Sequence, residues 1–134
     1  MIKQNSKKAF TLVELIFIIS ILGIIASFAI PKFLDSRSGA IVTTIKQDVS
    51  TITNAIQTHY MITNGINKIT NAVHVNSQNW VISDKKVQFN KDEQTCITIE
   101  VKRNVLQVDI YETSSELCQK IYDSGVRSVS YDLF

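Results

Sequence analysis

Phe10 to Ile30 reads FTLVELIFIISILGIIASFAI, 21 residues in which Glu14 is the only charge. At about 1.5 Å per residue, a helix of this length reaches roughly 30 Å, the depth of a bilayer's hydrocarbon core. Lys3, Lys7 and Lys8 precede it, and no basic cluster of equal density follows. That asymmetry places Met1 in the cytoplasm and Lys32 onward outside.

The apolar period continues past the span. Ile41, Ile45, Val49, Ile52, Ile56 and Tyr60 recur at steps of three and four, with Lys46, Gln47, Asp48, Thr51 and Asn54 between them. This is one apolar stripe on a helix. Asn64-Gly65 supplies the stop, because both residues tolerate the left-handed conformation that ends helices. A helix from Phe10 to about Ile62 is roughly 80 Å long, a length suited to a rod. Pro31 lies inside it and leaves the carbonyl of Ser27 without its usual N–H. A kink or loosening is expected between Gly23 and Pro31.

After Gly65 the pattern changes to loop and strand. Ile66 to Gln78 is rich in Asn and Thr and reads as loop. Trp80 to Ile82 and Val87 to Phe89 read as short strands, and Thr95 to Val101 and Leu106 to Ile110 alternate in polarity around a hairpin loop at Lys102-Arg103-Asn104. Thr113, with Glu116 three residues on, matches a capping box for a short helix through Tyr122 that Ser124-Gly125 ends. Val126 to Phe134 supplies a last edge strand. The fold class expected is α+β, a long N-terminal helix packed on a small antiparallel sheet. The chain then divides into a basic flank at 1–9, an apolar span at 10–30, its amphipathic continuation at 31–64 and an α+β head at 65–134.

Composition narrows the function. The chain has 134 residues, enough for one compact domain beside the span, and only 19% are charged. Its formal charge of +2 rests on the N-terminal lysines: without the three named above, 11 basic residues face 12 acidic ones. An electrostatic footprint for DNA is therefore absent from the charge balance. Cys96 and Cys118, 22 positions apart, both follow the span and so reach the oxidising side. A disulfide and a pair of buried free thiols are both compatible with that spacing. With the bridge, loop closure contributes about 3 kcal/mol. Strict alternation sets Cys96 on the strand face opposite Ile97 and Ile99.

The stretch Lys7-Lys8-Ala9-Phe10-Thr11-Leu12-Val13-Glu14-Leu15, with the unbroken apolar run, Gly23 and Pro31, resembles the class III signal of type IV prepilins and type II secretion pseudopilins. The resemblance implies that a prepilin peptidase cuts between Ala9 and Phe10, which makes 1–9 a leader, and methylates the new amine of Phe10; 10–30 is then the transmembrane and assembly helix and 65–134 a periplasmic head. It also implies a structural subunit, a minor pilin or pseudopilin with the pilin fold, that leaves membrane lipid through an inner-membrane assembly platform. It then joins other pilin or pseudopilin subunits in a filament in the periplasm or at the cell surface. The filament would serve pili, type II secretion or DNA uptake. The family usually carries Gly before the cut; Ala9 stands there instead, so slower processing is expected. In the family, Glu14 pairs with the N-terminal amine of a neighbouring subunit and fixes register, and a break at Gly23 and Pro31 lets the filament stretch.

Elementary electrostatics leaves two readings of Glu14. Cleavage creates a positive amine at Phe10, a partner that a carboxylate in an apolar layer needs. That amine belongs either to a neighbour or to the same chain four residues away, and the helix N-terminus also favours an acid. Gly23, Ala26, Ser27 and Ala29 are small enough for helices to approach closely.

Rival readings are a secreted domain cut by signal peptidase after Ala29, where Ser27-Phe28-Ala29 fits small-x-small, and a membrane-tethered enzyme or binding module. Glu14 inside the apolar run and Pro31 just beyond that cut oppose the first. Against the second, His59 and His74 stand 15 positions apart without carboxylates at ligand spacing, and neither cysteine has a base nearby. Asp123 and Asp132 are too few for calcium. No cofactor, metal or enzymatic activity is expected.

Overall fold

The computed structural model describes residues 9–76 and 78–133. The basic flank at Lys3, Lys7 and Lys8, the leader before Ala9, and Phe134 lie outside the described residues. The architecture is a long N-terminal helix followed by a five-stranded antiparallel sheet, an α+β, pilin-like arrangement. The chain divides into two units, Met1–Arg37 and Ser38–Phe134.

In the first unit, α1 (Leu12–Thr63) begins after Thr11, whose Oγ1 accepts the Glu14 N–H at 3.3 Å. Thr11 thus caps the helix, and Glu14 sits in its first turn. Apolar side chains from Phe10 to Leu34 are exposed, including Phe17, Phe28 and Phe33. Ser20 and Ser27 each donate their hydroxyl to a carbonyl of their own helix, Ile16 and Ile24, at 2.7 Å. Such back-bonding lets a hydroxyl enter lipid satisfied. The helix runs through Gly23 and Pro31 without interruption. A proline removes one rung of the hydrogen-bond ladder, and the rungs on either side hold the helical path.

In the second unit, α1 presents Val42, Ile45, Ile52 and Ile56 to the core, with Val49 and Tyr60 half-buried. Ile41 was expected on this stripe but is 40% exposed, and its neighbour Val42 is buried instead. The two positions flank the same helix face, so one residue of rotation exchanges them. The helix ends as its sequence indicates: Asn64 has φ +54° and donates its N–H to Tyr60 O at 2.8 Å.

The sheet is a meander of β1 (Trp80–Ile82), β2 (Lys86–Lys91), β3 (Gln94–Lys102), β4 (Val105–Ile110) and β5 (Val129–Asp132), in that order. Cross-strand partners Phe89, Ile97 and Ile110, then Val87, Ile99 and Val108, form buried rows on one face. The opposite face carries Gln88, Thr98 and Asp109, and Lys86, Glu100 and Gln107. The Asn/Thr-rich segment is not plain loop: a 3₁₀ turn, Ile69–Asn71, buries Ile69 fully and Val73 nearly so, and Ile69 N–H donates to Asp84 O at 2.7 Å.

Alternation fails at one place. A bulge sets Cys96 and Ile97 together against Phe89, and both are fully buried in the same core. Cys96 therefore does not sit opposite the Ile97 face, because the extra residue interrupts the two-residue period. It is joined to Cys118, with 5.1 Å between Cα atoms. Cys118 lies on α2 (Glu116–Asp123), so the bond ties that helix to β3.

The helix α2 begins differently from the capping-box expectation. Its N-cap is Ser115, not Thr113. The Thr113 hydroxyl accepts the Ser115 N–H, while Ser115 Oγ donates to Asp92 Oδ2 at 2.9 Å. Glu116 is then free to pair with Lys120 at 2.7 Å. The Lys120 hydrogen bond holds the Glu116 carboxyl below its ordinary range. That contribution is present at neutral pH and lost as pH falls through Glu116's titration, and its exposure keeps it small. Gly125, at φ +88°, ends the helix.

One polar link crosses from α1 to the sheet. The Trp80 indole N–H donates to Asp48 Oδ2 at 3.2 Å, and Trp80 is 3% exposed. In Asp48→Ala the buried donor loses its partner. Denaturant titration of the head is expected to show a loss of about 2 kcal/mol, and an unchanged midpoint would count against this link.

Candidate functional site

The candidate site is the junction between the leader and α1. Ala9 and Phe10 are exposed and lie before the first helical residue. Their peptide bond therefore sits in backbone outside the helical ladder. Phe10 is 76% exposed, so most of its ring is left open by the described residues.

Glu14 is the only acid in the first turn of α1. Its backbone N–H is taken by Thr11, but its carboxylate has no hydrogen-bond or ion-pair partner among the described residues. The carboxylate faces the positive end of the helix dipole. In a bilayer its neighbours on every side are apolar, because Leu12, Val13, Leu15, Ile16 and Phe17 are all more than half exposed. A carboxylate at bilayer centre costs about 2.5–3.5 kcal/mol, less toward the interface. The arrangement is thus an unsatisfied anion that a nearby cation would stabilise. The cap itself was the one feature of this junction missed at the level of sequence. Thr11 with Glu14 three residues on is a T-x-x-E pattern, and that signal was available.

The other residues singled out in the sequence do not gather into a second site. His59 is half-buried on α1 and His74 is exposed in the segment before β1. Among the described residues, no group of three His, Cys, Asp or Glu side chains could hold a metal ion. Asp123 accepts a hydrogen bond from Gln119 at 3.1 Å, and Asp132 lies on β5 opposite Val105. Trp80 and Phe89 meet edge to face, 5.2 Å between ring centroids, as part of the core. Cys96 and Cys118 are bonded to each other and brace the head.

A long exposed apolar helix with a single acid in its first turn, followed by an antiparallel sheet, is a pilin-like architecture that suits a membrane anchor. Residues 4–30 match the family model described as the prokaryotic N-terminal methylation motif, so this chain carries the type IV prepilin-like signal. No curated protein and no solved structure gives a significant match to the chain. The motif supports a type IV pilin-like subunit with an N-methylation signal, and the apolar helix suits an inner-membrane anchor. It also implies processing by a prepilin peptidase and assembly with other pilin subunits.

Proposed function

We propose that the chain is a structural subunit, a minor pilin or pseudopilin, of a filament that serves a pilus, type II secretion or DNA uptake. A prepilin peptidase cuts between Ala9 and Phe10 on the cytoplasmic side and methylates the Phe10 amine, and the head stands in the periplasm. The observation that carries this reading is the Glu14 carboxylate, four residues after Phe10 and without a partner among the described residues, in the stretch of α1 whose large apolar side chains are exposed as far as Leu34.

The physical sequence is simple. Before the cut, Phe10 carries a neutral amide and lipid covers the helix. After it, Phe10 carries a positive amine that methylation preserves while removing a donor. That amine pairs with Glu14 of a neighbouring subunit as the helix leaves lipid for contact with other helices, guided by the inner-membrane assembly platform. A pair made between subunits fixes their axial register, which a pair within one chain cannot do. Gly23, around which there is open space for a Cβ in the single subunit, is then a point of close helix approach. The rival cut after Ala29 is disfavoured, because that bond lies within α1.

Fractionation tests the reading. When filaments are assembled and sheared from cells, or extracted from the envelope, the chain is expected in the filament fraction beside other pilin-like subunits. Recovery only from the membrane while filaments form would contradict it.

A further inference from the structure

We propose that a groove between α1 and β5 of one head receives the β2–β3 turn of a second copy of this chain, an inference that rests on the filament reading. The sheet face that is buried over β2 to β4 is left partly open at β5. Val108 and Leu106 are buried, whereas their β5 partners Val129 and Tyr131 are 41% and 37% exposed. The resulting groove, of about 230 Å³, has Val49 and Asn54 of α1 on one wall and Val129 and Tyr131 on the other. Lys46 and Arg127 also line it. Lys46 donates to Ser124 O at 2.8 Å, and Arg127 to Tyr122 O at 2.9 Å and Val126 O at 3.2 Å. Both cations thus cap the end of α2, neither meets a carboxylate among the described residues, and each retains unused donors. No acidic side chain lines the groove.

The same molecule carries a matching projection. Asp92 and Glu93 form the two-residue turn between β2 and β3, both in the left-handed region at φ +52° and +62°. The turn is fastened from behind. Ser115 Oγ holds Asp92, and the Gln94 side chain bonds Ser114 Oγ at 2.7 Å and Ser115 N–H at 3.1 Å. These bonds bring the turn beside the exposed Glu112 and Glu116. Acids outnumber bases there, with Lys91 next in sequence and Lys120 engaged by Glu116. A turn already held in place loses little freedom on docking, and opposite charges steer and orient the encounter.

Groove and turn are different patches, one against β5 at the edge of the sheet and the other where β2 turns into β3, inside the strand order. Their contact is therefore heterologous: each copy offers its turn to one neighbour and its groove to another. Such contacts propagate along a filament rather than closing into a two-fold dimer.

The test uses the full-length chain in cells that carry the assembly machinery, with Asn54→Cys and Lys91→Cys in one chain; Lys91 is exposed beside the turn, and replacing it keeps both acids. Oxidation is expected to give a ladder of dimers, trimers and larger species. Arg127→Glu in that background is expected to lower the ladder about tenfold. In a parallel series, filament recovery is expected to fall likewise with Arg127→Glu and to return when Glu93→Arg is added, which separates charge pairing from damage to the α2 cap. Normal filaments without a ladder, or an undiminished ladder with Arg127→Glu, would overturn this contact and leave the filament reading standing. A cross-link only to a different subunit would overturn the assignment to a second copy. Absence of the parent chain, without any of these substitutions, from filaments that form would overturn both readings together.

Discussion

Glu14→Ala is expected to remove the chain from filaments while leaving it inserted, cut after Ala9 and methylated. The variant keeps the Thr11 cap, because the cap is accepted from the Glu14 backbone N–H and not from its side chain. It also keeps every apolar surface that holds the helix in the membrane. What it loses is the one anion able to meet the new Phe10 amine of a neighbour. Leaving that amine unpaired in an apolar layer costs about 3 kcal/mol, so incorporation is expected to fall roughly 100-fold. Glu14→Gln, which keeps shape and hydrogen bonding but not charge, is expected to fall between the two. Quantifying each variant in sheared filaments and in membranes checks this, and normal incorporation of Glu14→Ala would remove the electrostatic basis of the account. A pair made within one chain predicts the opposite, since register would then not depend on Glu14.

Breaking the Cys96–Cys118 bond has the second large expected effect. The bond closes a loop of 22 positions and joins α2 to a bulged strand, and both cysteines are fully buried. Loop-closure entropy alone gives about 3 kcal/mol, which for a head of this size lowers Tm by roughly 10–20 °C. Because the sulfurs are shielded, mild reductant is expected to act only once the head opens. The decisive comparison is therefore Cys96→Ala with Cys118→Ala against the parent, each melted without reductant. Equal melting temperatures would show that the apolar core alone secures α2.

The two halves of the chain differ in how openly the sequence declares them. The span is plain because a single acid in 21 residues leaves few other uses for such a stretch. The strands from Trp80 to Ile110 and the edge strand near the C-terminus are legible because they alternate and are separated by turn residues. Tertiary contacts decide the rest. Thr113-x-x-Glu116 and Thr11-x-x-Glu14 are the same four-residue pattern. Only the second places its threonine at the helix start, because Ser115, held by Asp92 and Gln94 from the β2–β3 turn, takes that place on α2. No local rule contains those partners. The bulge at Cys96 is likewise set by pairing with β2, and it reverses the face that alternation assigns. Ile69 and Val73 were hidden among Asn and Thr because two isolated apolar residues carry no period. At the candidate site, Ala9, Phe10 and Glu14 are legible as a motif. That the Ala9–Phe10 bond precedes the helix, and that the Glu14 carboxylate lacks a partner among the described residues, required the fold.

Intact mass and N-terminal sequencing of the mature protein, taken from a strain with a working prepilin peptidase, test the central claim most directly. The account predicts a chain that starts at Phe10 with one added methyl group. A chain that still starts at Met1, or one that starts at Ile30, would contradict it.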